Sequence, residues 1–215
     1  MAKIRQHVNP LKSDLLEIPN VPRLERAGRE FLEVELGSAE ALFLIERAPV
    51  VPEALLVGVE IRSEMVKRAD RLVREAGVVN VRNVFANMSV DMRRLFGPRS
   101  VRRFHVNFPD PWWKSRQHKR RVVGPALVAE LAEVLEPGGE VHVMTDIFDI
   151  ALEAMATLEE AGPHAFVNAR APWSFYPDNP WGARSRRERQ CEADGTRVWR
   201  LLYRLAGARP AAAAV

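Results

Sequence analysis

Polar side chains that could take part in catalysis or binding stand at the ends of apolar runs in this sequence. Five of them end or directly follow a run that reads as a β-strand: Glu35, Glu60, Asn87, Asp110 and Asp146. The carboxyl ends of parallel strands meet at one edge of a sheet, and open α/β sheets bind their ligands there. The sequence therefore predicts a shared pocket that is lined largely by carboxylates.

The acid after the second run, Glu60, is placed to hold a ribose, because a carboxylate at this point accepts two hydrogen bonds from a vicinal diol. The loop at residues 35–41 should cradle the rest of the cofactor. It keeps only Gly37, and Ala39 and Ala41 stand where glycine would let a pyrophosphate approach the backbone. A cationic cofactor without phosphate suits an acidic pocket better. We therefore expect S-adenosylmethionine, with Gly37 among its contacts.

The segment FPDPWWKSRQHKRR at residues 108–121 combines a stiff turn with a basic run. Prolines on both sides of Asp110 restrict the backbone around its carboxylate and remove two donors. Between Arg99 and Arg121 there are eight Lys or Arg residues and one acid. Cations interleaved with aromatic rings neutralise phosphates and stack splayed bases. The segment therefore predicts a catalytic acid beside an RNA-binding surface; a solvated basic face over core tryptophans is the alternative.

The elements that would position these residues alternate between strand-like and helix-like segments. Apolar runs predict strands at residues 31–36, 55–60, 81–86, 103–108, 140–145 and 196–205. Apolar residues at helical spacing predict helices at residues 64–76, 122–135 and 148–160. This alternation is typical of an α/β domain, in which a mostly parallel sheet has helices on both faces.

Composition limits the remaining possibilities. The 215 residues, 47% hydrophobic and 28% charged, suit one globular domain, and no apolar run approaches the roughly 20 residues of a membrane span. One cysteine excludes an internal disulfide, and the scattered histidines predict no metal site. We expect an N-terminal arm at residues 1–30, the domain at 31–205 and a low-complexity tail at 206–215. Without a secretory signal, a cytoplasmic protein is expected, as a monomer or a homodimer.

These motifs resemble those of the bacterial tRNA (guanine-N(7)-)-methyltransferase family from about Arg5 to Leu205. FPDPWWKSRQHKRR is close to that family's most specific motif. The other matching segments follow the family in order and approximate spacing: KIRQHVNPL, VEL-G at 34–37, GVEI at 58–61, MTD at 144–146 and GTRVWRL at 195–201. The resemblance implies a single-domain, Rossmann-like class I S-adenosylmethionine-dependent methyltransferase with an antiparallel C-terminal strand. It further implies methylation of guanosine 46, in the variable loop of tRNA.

Carried over residue by residue, the resemblance implies roles for the matching positions. Asp110 would be the active-site acid. Cofactor contacts would come from Glu35, Glu60, Asn87 and Asp110. Substrate contacts would come from Lys114, Asp146, Ser185, Arg186, Arg187 and Glu188. RNA contacts would come from Arg116, Gln117, His118, Lys119, Arg120 and Arg121.

Nitrogen 7 of guanine carries a lone pair and no proton, so its methylation needs no general base. The protein would supply positioning and carboxylates that favour the developing cation, and Glu188 would accept hydrogen bonds from the guanine ring NH and amine. Two alternatives stay open. A tRNA-binding protein on the same fold could have weakened cofactor binding through its altered first loop. Methylation of a small molecule would leave the basic run unexplained.

Overall fold

A seven-stranded sheet with helices packed against it forms the molecule. The structure, a computed structural model, describes residues 8–112, 121–161 and 166–206. The strands are β1 Phe31–Leu36, β2 Ala54–Glu60, β3 Val81–Phe85, β4 Val101–Asn107, β5 Leu135–Thr145, β6 Phe166–Asn168 and β7 Trp199–Leu205. The helices are α1 Ser13–Leu16, α2 Leu42–Arg47, α3 Ser63–Glu75, α4 Met92–Leu95, α5 Pro125–Val134, α6 Phe148–Glu160 and α7 Arg186–Asp194.

The strand order is β3-β2-β1-β4-β5-β7-β6, and β1 to β5 are parallel to one another. β7 pairs antiparallel with both β5 and β6. This confirms the predicted α/β fold with a mostly parallel sheet and an antiparallel C-terminal strand. Because the chain crosses over between the parallel strands, the carboxyl ends of β1, β2, β3, β4 and β5 all lie at one edge of the sheet.

Both faces of the sheet are covered, so the central strands β1 and β2 are buried at every residue. In β2 the side chains of Leu55, Val57 and Val59 belong to one buried cluster, whereas Ala54 and Leu56 belong to a second. Successive side chains of a strand point to opposite faces, so the two clusters lie on opposite sides of the sheet. Strands buried on both faces read as continuous apolar runs, which is why their positions are visible in the sequence.

In the segment before β1, Leu15 and Ile18 are buried, and Val21 and Leu24 pack against the hydrophobic core. The backbone NH of Leu24 also donates to the carbonyl of Leu95 at 2.8 Å. This segment therefore brings residues 8–16 alongside the strand ends.

Several boundaries differ from the sequence prediction, and two of the differences have clear local reasons. Helix α5 begins at Pro125, a residue favoured in the first turn because it has no NH to satisfy. Strand β7 begins at Trp199 because Gly195, at φ 67°, and Thr196 form the C-terminal cap of α7, in which the Thr196 NH donates to the Cys191 carbonyl at 2.8 Å. Four helices and one strand were not predicted. Helices α1, α2 and α4 have four to six residues, strand β6 has three, and α7 buries only Glu188 and Cys191.

Candidate active site

A cavity of about 700 Å³ opens at the carboxyl ends of β1, β2 and β4. Eight of the predicted site residues line it: Glu35, Gly37, Glu60, Asn87, Asp110, Ser185, Arg186 and Arg187. Residues from the ends of separate strands and from the start of α7 thus line one cavity, together with Val8 and Pro10 of the N-terminal segment. Asp146 and Glu188 do not line the cavity within the described ranges. Lys114, Arg116, Gln117, His118, Lys119 and Arg120 lie outside the described residues.

Glu35 forms part of the cavity floor and is buried. Its Oε1 accepts a hydrogen bond from Asn107 Nδ2 at 2.8 Å, whereas its Oε2 has no partner among the residues described. Burial raises the pKa of Glu35 to about 8. The hydrogen bond from Asn107 acts to lower this pKa, and the negative charge of Glu60 acts to raise it. Near neutral pH this carboxyl group is therefore mostly protonated.

Glu60 holds two neighbouring backbone segments together. Its Oε2 accepts from the Ala39 NH at 2.9 Å and its Oε1 from the Arg62 NH at 3.0 Å. The guanidinium of Arg62 also binds both carboxylate oxygens, at 2.8 Å from Nε and 2.9 Å from Nη2. The acid predicted to hold ribose is thus already oriented by the first loop and by Arg62.

The first loop has a backbone that usually requires glycine. Gly37 has φ 77°, and Ala39 and Ala41 have φ 48° and 57°, all in the left-handed region. Gly58, in the neighbouring strand, gives the loop space, because a Cβ there would lie 2.5 Å from Ser38 Oγ. The two alanines therefore carry strain of the order of 1 kcal/mol each.

Replacing Ala39 by glycine is expected to stabilise the protein by about 0.5–1 kcal/mol, raising Tm by a few degrees, because glycine adopts φ 48° without a Cβ clash. Ala41→Gly is the matched control. It relieves a similar φ but removes a fully buried methyl group from the core, so its net gain should be smaller. Thermal unfolding of the three proteins tests this. A lower Tm for Ala39→Gly would contradict it.

Asn87 connects the sheet edge to the N-terminal segment. Its Nδ2 donates to the carbonyls of Pro10 and Leu15 at 2.9 and 3.0 Å, and its Oδ1 accepts from the Ser89 NH at 3.0 Å. Pro10 itself lines the cavity. Both side-chain NH groups of Asn87 are therefore committed to the protein, and its side chain shapes the cavity by holding this wall in place.

Asp110 lies in a turn that reverses direction directly after β4. Phe108 and Trp112 on either side have φ 50° and 45°. The NH of Phe108 donates to the Met144 carbonyl at 2.7 Å, which ties the turn to the end of β5. Asp110 lines the cavity, as predicted from its position between two prolines. Beyond the turn, Arg121 forms an ion pair with Glu153 of α6.

The segment Ser185–Glu188 caps α7. Ser185 Oγ accepts from the Glu188 NH at 3.1 Å, which satisfies one of the free NH groups of the first turn. The Glu188 carboxylate is fully buried, 2.7 Å from Arg200 Nη2 and 2.8 Å from Asn179 Nδ2. Arg187 reaches Asp146 at 2.5 Å. Arg187 thus links the cavity wall to Asp146, whereas Glu188 is bound within the protein.

Three contributors to the cavity were missed in the sequence. Asn107 ends β4 and could have been found by the strand-end rule that identified the other polar residues. Ser38 lines the cavity with a buried Oγ that has no partner in the described part of the chain. Arg62 carries no comparable local signal, because its importance depends on the position of Glu60.

None of the helices within residues 8–112, 121–161 and 166–206 is long and apolar enough to cross a membrane. The same residues contain no group of three or more His, Cys, Asp or Glu side chains that could hold a metal ion.

The chain resembles known methyltransferases in sequence and in fold. The family described as "Putative methyltransferase" matches residues 29–201. A tRNA (guanine-N(7)-)-methyltransferase of Synechococcus sp. (strain JA-3-3Ab) is 38% identical over 205 residues, which are 92% of this chain and 84% of that protein. The 16S rRNA methyltransferase KamB superposes with a TM-score of 0.61 at 18% identity, over 84% of this chain and 90% of its own.

A second solved structure supports the same fold. The 16S rRNA (adenine(1408)-N(1))-methyltransferase of Catenulisporales acidiphilia, determined as a mutant with its cosubstrate S-adenosylmethionine, has a TM-score of 0.58 at 16% identity, over 86% of this chain and 89% of that one. The sheet described above is therefore that of a class I methyltransferase. On the sequence match over nearly its whole length, this chain belongs to the tRNA (guanine-N(7)-)-methyltransferase family.

Proposed function

We propose that this protein transfers a methyl group from S-adenosylmethionine to nitrogen 7 of a guanine in tRNA, at position 46 in the variable loop. Family membership supports the reaction, and one feature of the cavity carries the proposal. Glu35 Oε2, Ser38 Oγ and Asn107 Oδ1 are buried oxygens without a partner among the described residues, and all three residues line the cavity. Unsatisfied buried acceptors favour a ligand that brings donors and positive charge.

The cavity residues fit S-adenosylmethionine, which when bound supplies a methyl group activated by a sulfonium centre. Glu60 would hold the ribose hydroxyls, since its carboxylate is fixed at the end of β2. Glu35, Ser38 and Asn107 would receive the ammonium group. Asn87 would act by holding Pro10 in the wall of the cavity. The positive φ of Gly37 lets the backbone turn closely beneath the ligand.

Asp110 would carry the catalytic role, because it lies in a constrained turn at the cavity wall. Methylation of nitrogen 7 turns the purine into a cation, and a fixed carboxylate nearby favours that charge. No residue has to remove a proton. The rest of the reduction in the activation barrier would come from holding the reacting groups together. Such positioning contributes up to roughly 7–11 kcal/mol in well-oriented systems.

The tRNA would be held by residues around the cavity mouth. Lys114, Asp146 and residues 185–187 are the candidates for contacts with the target nucleotide, and residues 116–121 for contacts with the RNA backbone. The contact predicted between Glu188 and guanine is not retained, because its buried carboxylate is bound by Arg200 and Asn179. Arg187 and Arg186 are half to fully exposed where they line the cavity. The buried carboxylate of Glu188 would hold this segment in position through its contacts with Arg200 and Asn179. Nothing in the relatives favours a tRNA-binding protein without activity.

The direct test of this function is methylation of tRNA. Purified protein is incubated with S-adenosylmethionine labelled in the methyl group and with unmodified tRNA, and the labelled nucleoside and its position are then identified. Label in 7-methylguanosine at position 46 is the expected result. Label elsewhere in the tRNA would correct the position, and label only in small molecules, or none, would reject the proposal.

Replacing Glu60 by alanine is expected to weaken binding of S-adenosylhomocysteine by about 1.5–3 kcal/mol, roughly 10- to 150-fold. The change removes a charged acceptor and also releases the Ala39 NH that Glu60 holds. Isothermal titration calorimetry measures the affinity. Glu64→Ala, which removes an exposed acid in the first turn of α3, is the control and should bind normally. Equal affinities would mean that Glu60 does not hold the ribose.

Binding of the cofactor near pH 7 is expected to release up to about one proton. Glu35 is mostly protonated at this pH, because its pKa is raised to about 8, and a bound cation favours its carboxylate form. Affinity should therefore increase as pH rises towards 8. Calorimetry in buffers of different ionisation enthalpy measures the proton release. Glu35→Gln should release none, and identical heats in all buffers for the unmodified protein would contradict the prediction.

A further inference from the structure

Three aromatic rings form a cluster on the surface that the proposed chemistry does not use. The Trp199 ring lies 4.7 Å from both Phe148 and Phe175, measured between centroids. Phe148 is 44% exposed, and the other two rings are partly buried. We call these three residues the aromatic patch. The rings are tilted by 46–48° to one another, and together they offer a small apolar area at the surface to a partner.

Two arginines border the aromatic patch. The Arg197 guanidinium carbon lies 3.9 Å from the centroid of the Trp199 ring, and Arg170 Nη1 donates to the Phe175 carbonyl at 3.1 Å. Both arginines are exposed. In the described part of the chain neither forms an ion pair, whereas Arg184, Arg186, Arg187 and Arg189 around the start of α7 each do. Their charge therefore remains available to an anionic partner.

The aromatic patch lies at the same edge of the sheet as the cavity. Trp199 is paired in register with Thr145, the last residue of β5, and Phe148 opens α6 only two residues after Asp146. Asp146 in turn binds Arg187, which lines the cavity. The patch is therefore continuous with the cavity mouth through one ion pair.

We infer that the aromatic patch, with Arg197 and Arg170, binds an unpaired base of the tRNA next to the guanosine that enters the cavity. This inference rests on the proposed function. Proteins recognise single-stranded RNA by stacking bases on aromatic rings and guanidinium planes, and arginines neutralise the adjoining phosphates. When the target guanosine is in the cavity, an unpaired nucleotide next to it in the RNA chain would lie over the adjoining surface, where the aromatic patch is. An apolar protein partner would not require two arginines without carboxylate partners.

Phe148→Ala and Arg197→Ala are the test variants, because both side chains are exposed and their loss should leave the core intact. Each should lower kcat/KM for tRNA about tenfold, as expected for one lost stacking contact, while the affinity for S-adenosylhomocysteine is unchanged. Arg197→Lys keeps the charge but loses the plane and should recover only part of the activity. The matched controls are Val79→Ala and Arg74→Ala, two exposed residues that precede β3, the outermost strand on the side of the sheet away from β7. Both variants should have the kcat/KM of the unmodified protein.

A double-mutant cycle with the RNA identifies the contact. tRNA carrying an abasic nucleotide immediately 5′ or 3′ of the target guanosine should react about tenfold more slowly with the unmodified protein at one of the two positions. For the Phe148→Ala variant, the same abasic tRNA should react only slightly more slowly than intact tRNA, since the stacking contact is already lost. Additive losses at both positions would overturn the inference, as would full activity of both variants.

The outcomes separate this inference from the proposed function. If the unmodified protein does not methylate tRNA, the proposed function fails. If it methylates tRNA and the patch variants do so equally well, only the patch assignment fails. The alternative is that a second copy of this chain occupies the aromatic patch. Analytical ultracentrifugation of the unmodified and Phe148→Ala proteins tests it. A dimer that dissociates in the variant would show that the patch joins two copies of this chain, and would overturn RNA binding there.

Discussion

Asp110→Asn is expected to lower the rate of tRNA methylation by on the order of a hundredfold or more, with little change in tRNA affinity. The substitution keeps the shape of the side chain and part of its hydrogen bonding but removes the negative charge. Asp110 lies at the cavity wall, in a turn held by two left-handed residues and tied to β5. The charge is thus fixed in advance where the purine would become a cation.

Single-turnover methylation measured across pH separates the charge of Asp110 from a role as a base. Both proteins should show rates that need no titrating base near neutrality, because nitrogen 7 has no proton to lose. Asp149→Asn, an exposed acid at the start of α6 that does not line the cavity, is the matched control and should react normally. Full activity in Asp110→Asn would remove this residue from the active site. A rise in rate with pH that depends on Asp110 would contradict the mechanism.

Glu33→Ala is expected to destabilise the fold by about 3–5 kcal/mol, because it leaves the buried Arg47 guanidinium without its carboxylate partner, whereas Arg103 keeps its ion pair with Glu140. Glu33 is fully buried in β1. Its oxygens lie 2.9 Å from Arg47 Nε and 2.9 Å from Arg103 Nη1. His105 Nε2 lies 2.7 Å from Oε1 and must donate, since a carboxylate only accepts. Denaturant unfolding measures the loss.

Glu64→Ala is the control for Glu33→Ala, since it removes an exposed ion pair with Lys67 and should cost less than about 1 kcal/mol. Glu33→Gln is the second variant: it keeps the volume and removes only the charge, and should fall between the other two. A loss below about 1 kcal/mol in Glu33→Ala would show that the buried arginines find other partners.

The same cluster predicts loss of stability in acid. Burial acts to raise the pKa of Glu33, but His105 and the two guanidinium groups outweigh it and hold the pKa well below its usual value. The stabilisation from Glu33 is therefore complete above the unfolded pKa of 4.5 and is lost as pH falls further. Burial also lowers the pKa of His105 and His142, so stability should begin to fall below about pH 6.5 as these groups bind protons in the unfolded chain.

Most of the fold could be read from the sequence because its signals are local. The central strands β1 and β2 are buried along their whole length and are mostly apolar, and α3 and α6 carry apolar residues at helical spacing. Parallel strands bring their carboxyl ends to one edge, which placed Glu35, Glu60 and Asp110 in one cavity before their contacts were known. Helix α7 escaped prediction because it has almost no apolar stripe.

The sequence by itself determined the class of fold, the edge that carries the cavity and three of the acids that line it, Glu35, Glu60 and Asp110, since these depend on residue type and short-range periodicity. Only the tertiary structure decided what each side chain binds. Asn87 holds Pro10, 77 positions away in the chain, and Glu188 is buried against Arg200 of β7. The aromatic patch likewise joins α6, the segment before α7 and β7. Such contacts depend on how distant segments pack, and no local pattern of residues encodes that arrangement.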